Sequence, residues 1–224
     1  MVVSESSARR YALDPEVRLM LEVRDDNAAA FEELVVRYQS HLVTVLRHMV
    51  GDADQAEDLA NEVFMRVYRS RKTYEPGAKF ATWLFTIAHH VAANALRTRS
   101  RRPEVMLSPL DSGARGVTPL DVMVQASSGQ MPARQLEKAE IRDVVRAAVE
   151  SLGERQRMAV LLSKFENMSY ADIAETMQLS TQAVKSLLSR ARVNLQQVLE
   201  PYVKHGERPA IDGVDDSQEG KTRN

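Results

Sequence analysis

Apolar residues recur at three- and four-residue steps along most of this chain, the period of helices packed on one side. Phe31, Leu34, Val35, Tyr38, Leu42, Val45, Leu46 and Met49 trace one face of a long helix that ends near Gly51. Ala56, Leu59, Ala60, Val63, Phe64, Val67 and Tyr68 trace the next, and Asp52 is placed to cap it. A shorter helix precedes both, with Asp14 as cap and Pro15 in the first helical position, and it runs to about Glu22. "YEPGAKF", residues 74–80, breaks the pattern with a Pro-Gly turn. Phe80, Trp83, Leu84, Ile87, Ala88, Val91, Ala92, Ala95 and Leu96 then resume it.

Between residues 103 and 132 the periodicity fails, and "SPLDSGARGVTPL" and "ASSGQMP" read as linker around one short candidate piece at 120–124. A second helical block follows. Leu136, Ile141, Val144, Val145, Ala148 and Val149 fit a helix ending near Leu152, and Met158, Leu161, Leu162 and Phe165 fit another. Ser169 caps a third, with Asp172 in the reciprocal capping-box position and Tyr170, Ile173, Ala174 and Met177 facing inward. Ser180 caps the last, with Val184, Leu187, Leu188, Ala191, Leu195, Val198 and Leu199 inward. The expected fold is therefore all-α, with two small helical domains joined by a flexible linker. The expected order is an extension at 1–12, a domain at 13–102, a linker at 103–135, a helix-turn-helix domain at 136–203 and a disordered acidic tail at 204–224.

Composition narrows the possibilities. Apolar residues make up 44% of the chain, enough for real cores, and there is no cysteine, which excludes disulfides, thiolate metal sites and cysteine nucleophiles. No run of about 18 apolar residues could span a bilayer, and the first residues lack the apolar stretch of a signal peptide, so a cytoplasmic protein is expected. The net charge of −1 is uninformative, but its distribution is not. Asp52, Asp54, Glu57, Asp58 and Glu62 form an acidic block, while the stretch from Arg71 to Arg102 carries seven positive charges against one negative. Metal chemistry fits poorly: His41 and His48 lie roughly 10 Å apart by helix rise, and His89 and His90 diverge by about 100°. No cofactor is expected.

Residues 169–192 have the form of a helix-turn-helix, two helices sharing the seam Ile173, Ala174, Leu179, Val184 and Leu188. Thr181, Gln182, Lys185, Ser186, Ser189, Arg190 and Arg192 lie toward the opening of the second helix, and such side chains bond base edges and phosphates. The same pattern also suits an ordinary amphipathic pair with a wet, basic face. Helix-turn-helix turns usually carry Gly where this chain has Gln178, and a positive φ there costs roughly 1 kcal/mol.

The resemblance becomes specific at "LGERQRMAVLLSKFENMSYADIAETMQLSTQAVKSLLSRARVNLQQVL", which is similar to the last domain of bacterial sigma factors of the sigma-70 family, most of all the extracytoplasmic-function group. Its carriers are Leu152 with Glu154-Arg155-Gln156, the segment from Ser169 to Ala174, and Val184-Lys185-Ser186 with Ser189-Arg190-Ala191-Arg192. The resemblance implies a winged-helix-like domain reading the promoter's −35 element through Lys185, Ser186, Ser189 and Arg190, with Thr181, Gln182 and Arg192 nearby. Many relatives have Arg where this chain has Leu187. Response-regulator output domains carry a similar helix-turn-helix, so this half alone leaves open an activator that binds duplex DNA without polymerase.

The first block separates the two. It shows no receiver-like alternation of strands and helices, and Phe31-Glu32-Glu33-Leu34, Gly51-Asp52, Ala56-Glu57-Asp58-Leu59 and Glu62-Val63-Phe64 resemble the other domain of the same family. By that resemblance Glu57, Asp58, Asn61, Glu62, Arg66 and Arg69 dock on the clamp helices of the largest subunit of core RNA polymerase. "YEPGAKFATWLFTIAHHVAANALRTRSRR" resembles the segment that melts and holds the −10 element. Its candidates are Lys79, Phe80, Trp83, His89, His90, Asn94, Arg97, Arg99 and Arg101, with core packing the favoured role for Trp83. Relatives often have Asn at His90 and Gln at Asn61. The resemblance implies an alternative sigma factor, monomeric when free, with no catalysis of its own, with promoter DNA and polymerase as partners and an anti-sigma protein as a candidate controller.

Overall fold

Asp14 accepts hydrogen bonds from the backbone of Glu16 and Val17 at 2.9 and 3.3 Å and so starts helix α1, Pro15–Arg24. Asn27 caps α2, Ala28–Val50, in the same way, and Gly51 closes it in the left-handed conformation at φ 79°. Asp52 accepts from Gln55 N and starts α3, Ala53–Ser70. A single 3-10 turn, Arg71–Thr73, leads through the Pro-Gly bend to α4, Phe80–Arg101. The second block is α5, Pro132–Glu150; α6, Glu154–Lys164; α7, Tyr170–Thr176; and α8, Thr181–His205. This computed structural model describes residues 11, 13–101 and 132–205, with the side chains of 132–139 and 205 left aside.

The described residues form helices and their connections and hold no strand. The expected apolar faces do turn inward: Leu34, Leu42, Leu46, Leu84 and Phe85 are fully buried in the first domain, and Leu161, Leu162 and Ile173 in the second. The extension at 1–10, the candidate piece at 120–124 and the acidic tail beyond 205 lie outside the described residues.

The structure adds to the sequence reading and corrects it in places. The two expected domains meet: one apolar cluster runs from Leu34 and Phe85 through Met158 and Leu162 to Ile173 and Val184. In it α2 packs on α6 and α4 packs on α7. Tyr170, expected inward, is 42% exposed, since the first residue of α7 lies at the rim rather than on its seam. Helix α5 begins at Pro132, ahead of the expected 136, because proline suits a first helical position while Ala133, Arg134 and Gln135 offer no apolar period to betray it. Helix α8 continues through Pro201 to His205.

The turn between α7 and α8 does need a left-handed residue: Gln178 has φ 54°. Its side chain is exposed. Gln178→Gly is therefore expected to raise stability by about 0.5–1 kcal/mol, the gain of an unstrained φ outweighing the freer unfolded chain. Urea unfolding checks this, and a lower midpoint would contradict it.

Candidate nucleic-acid interface

The helix-turn-helix is fixed by three local devices. Ser169 and Asp172 form the reciprocal capping box of α7. Ser180 Oγ accepts from Ala183 N at 3.1 Å and starts α8. Val184 and Ala191 are fully buried beneath α8. That seating turns Thr181, Gln182, Lys185, Ser189, Arg190 and Arg192 into solvent, with Ser186 half-buried. Three cations and the helix N-terminus thus reach solvent along α8. Leu187 is half-buried against the core, so it differs from an Arg by packing inward rather than by leaving a gap in the exposed face.

The segment from Tyr74 to Arg101 is less open. Phe80 is fully buried, so its ring has no face for a base and serves the core. Trp83 is half-buried, its ring edge-on to Tyr74 at 4.8 Å and tilted on Phe80 at 6.1 Å. Burial pushes the Tyr74 phenol well up, so it stays neutral. A cavity of about 730 Å³ opens beside these rings, lined by Tyr74, Trp83 and Thr86 from one domain and Glu175 and Gln178 from the other. Lys79 is exposed, but its Nζ lies 3.1 Å from Asp172 on α7. His90, Asn94, Arg97 and Arg101 are exposed. His89 is half-buried, and burial first, then the charges of His90 and Arg155, hold its pKa down. It is therefore a neutral imidazole near pH 7 rather than a cation for phosphate.

Part of the positive charge counted in the sequence is already matched. Arg71 and Lys72 pair with Asp26 at 3.0 and 2.5 Å, and the two cations hold the Asp26 carboxyl below its usual range. Arg99 donates to Val50 O at 2.9 Å, at the carbonyl end of α2. Asp26 and Asp172 could not be assigned these partners from spacing, because each pairing joins residues at least 45 positions apart.

On α3, Glu57, Asp58, Asn61, Glu62 and Arg69 share one exposed face, with Arg66 half-buried and hydrogen-bonded to Glu62. Met65 is 48% exposed in the middle of it, a residue the sequence reading missed. Its spacing, four after Asn61 and three after Glu62, was the available signal. Tyr68, expected inward, is partly exposed, with Phe31 at 5.1 Å and the Arg71 guanidinium 4.0 Å above its ring. The patch thus combines acids with a soft apolar centre, the make-up of a protein-docking surface.

Besides Lys79–Asp172, further polar contacts tie the domains together. The Arg157 guanidinium donates to His48 O and Met49 O across the interface, each at 3.2 Å, and to Leu152 O and Glu150 O in its own domain. His41 Nδ1 lies 3.1 Å from Glu166, whose side chain is only 6% exposed. Among the described residues no group of three His, Asp or Glu could hold a metal ion, and no helix is long and apolar enough to cross a membrane.

The family description "Sigma-70 region 2" matches residues 34–102, and "Sigma-70, region 4" matches residues 142–195. The chain is 31% identical over 191 residues to the RNA polymerase sigma-H factor of Pseudomonas aeruginosa, covering 85% of this chain and 97% of that one. It is 29% identical over 191 residues to the ECF RNA polymerase sigma-E factor of Escherichia coli K12, covering 83% and 95%. Among solved structures it is similar to CnrH in complex with the cytosolic domain of CnrY, with a TM-score of 0.59 at 21% identity over 84% of this chain and 98% of that one. It is also similar to the sigma factor RpoE in complex with the anti-sigma factor NepR from Bartonella quintana, with a TM-score of 0.57 at 24% identity over 76% and 96%. These two structural likenesses speak to the fold alone.

Proposed function

This chain belongs to the extracytoplasmic-function group of the sigma-70 family, and we propose that it is an alternative sigma factor with three separate working faces. The acidic face of α3 binds core RNA polymerase through Glu57, Asp58, Asn61, Glu62, Arg66 and Arg69, with Met65 as its apolar centre. The opening of α8 reads the −35 element through Thr181, Gln182, Lys185, Ser186, Ser189, Arg190 and Arg192. The −10 element is held by Lys79, Trp83, His90, Asn94, Arg97 and Arg101, with unpaired bases entering beside Trp83. The protein works in the cytoplasm, carries out no reaction of its own, and acts by placing the polymerase. An anti-sigma protein is the expected controller, as in the complex of RpoE with the anti-sigma factor NepR.

The observation that carries the reading is the separation of faces. The exposed acids of α3 and the exposed cations of α8 lie on different domains, so one can engage protein while the other engages DNA. The test is Lys185→Ala. It is expected to weaken promoter binding by the polymerase complex by about 1–3 kcal/mol while leaving binding to core polymerase unchanged. Binding assays with each partner check it. Equal loss of both, or specific duplex binding by the free chain that polymerase does not alter, would contradict the division.

A further inference from the structure

Elements named −35 and −10 are about 25 base pairs apart, about 85 Å along B-form DNA. In this structure the helix assigned to the −10 element packs on the helix-turn-helix that carries the −35 readers: α4 packs on α7, and Thr176 Oγ1 reaches Thr82 O at 3.4 Å. Lys79, a candidate −10 cation, is occupied by Asp172 of the helix-turn-helix. This conformation cannot lay both faces on one promoter. The segment between Arg101 and Pro132, drawn out, reaches about 100 Å, enough to let the domains part.

The contact that must break contains one group suited to respond near neutral pH. His41 on α2 faces Glu166 from the α6–α7 connection and Glu16 from α1, with Tyr38 beside it on its own helix. Glu16 is itself hydrogen-bonded by the Tyr38 hydroxyl, which leaves Glu166 as the partner of His41. Two other histidines lie along this face, and burial lowers the pKa of each. His48 is buried against Phe165, its pKa held down at about 4, and His89 is also held low by burial.

We propose that the closed packing is the resting state of the free chain and that the His41–Glu166 pair is its latch, so that loss of the His41 proton favours release. The proposal rests on the promoter-reading function above. Its sign follows from the partner: Glu166 raises the His41 pKa above 6.5 in the closed form. The latch is therefore complete below the ordinary histidine value and fades as pH climbs through the raised one. Opening removes Asp172 from Lys79 and uncovers the cleft beside Trp83, so the fraction of open chain scales the apparent affinity for promoter.

The chain has no native cysteine, so spin labels can be placed at Gln39→Cys and Gln196→Cys, both exposed, and the interdomain distance followed in the free full-length protein. Between pH 6 and pH 8.5 the ratio of open to closed chain is expected to rise about fivefold. His41→Gln is expected to abolish that pH response, and His41→Lys to hold the chain closed throughout. A distance that ignores pH, or the same response in His41→Gln, overturns the latch. Specific transcription with sigma-free core polymerase is the separate check on function. Its failure beside a pH-gated distance would remove the promoter role and uphold the latch. A pH-independent distance beside active transcription would do the reverse.

Discussion

Arg157→Met is expected to lower the stability of the free chain by about 3 kcal/mol and to split its unfolding into two transitions. The guanidinium donates to four carbonyls, two of them at the end of α2 in the other domain. Burial lowers the Arg157 pKa, offset by Glu150 and Glu154, so the charge sits in a partly dry site and is held there by those carbonyls. Methionine fills similar length with apolar atoms but leaves the carbonyls of His48 and Met49 without that donor. Thermal unfolding followed by heat capacity checks this. A single transition at the unaltered midpoint would show that the interdomain contact carries little weight.

Asp58→Arg is expected to weaken binding to core RNA polymerase about a hundredfold, the scale of reversing one charge of a close pair at a protein interface. Asp58 is exposed on α3, so its replacement is expected to leave folding stability within about 0.5 kcal/mol. Titration of labelled chain with sigma-free core polymerase gives the affinity. Unchanged affinity would move the docking face elsewhere, and Met65 with Tyr68 would be the first place to look.

Much of this architecture was legible because helices announce themselves by local rules. Asp14, Asp52, Ser169 and Ser180 sit at helix starts for reasons confined to a few residues, and Gln178 was marked as strained by the turn it occupies. The exposed face of α8 follows from the same period that buries Val184 and Ala191. What periodicity could not show was the meeting of the two domains. An apolar face on α2 or α6 reads alike whether it packs within its own domain or against the other. Phe80 illustrates the limit. An aromatic ring next to a lysine in a basic stretch suits base stacking, yet it lies at the centre of the core. The pairs Lys79–Asp172 and His41–Glu166 join residues 93 and 125 positions apart and leave no trace in spacing.

These long-range pairs also change how the basic stretch is understood. Its charge is not one continuous track for phosphate. Arg71 and Lys72 serve Asp26, Lys79 serves Asp172, and Arg99 closes the end of α2, while Arg97 and Arg101 face solvent at the far end of α4. The free chain is thus expected to hold single-stranded DNA weakly until the domains part.

The central claim is that this chain gives RNA polymerase a promoter address. It is tested most directly by adding the protein to sigma-free core polymerase with DNA of its source genome and mapping the 5′ ends of the transcripts. The account predicts a discrete set of new start sites that share two sequence elements upstream, and their loss with Lys185→Ala. Transcripts indistinguishable from those of core polymerase alone would contradict it.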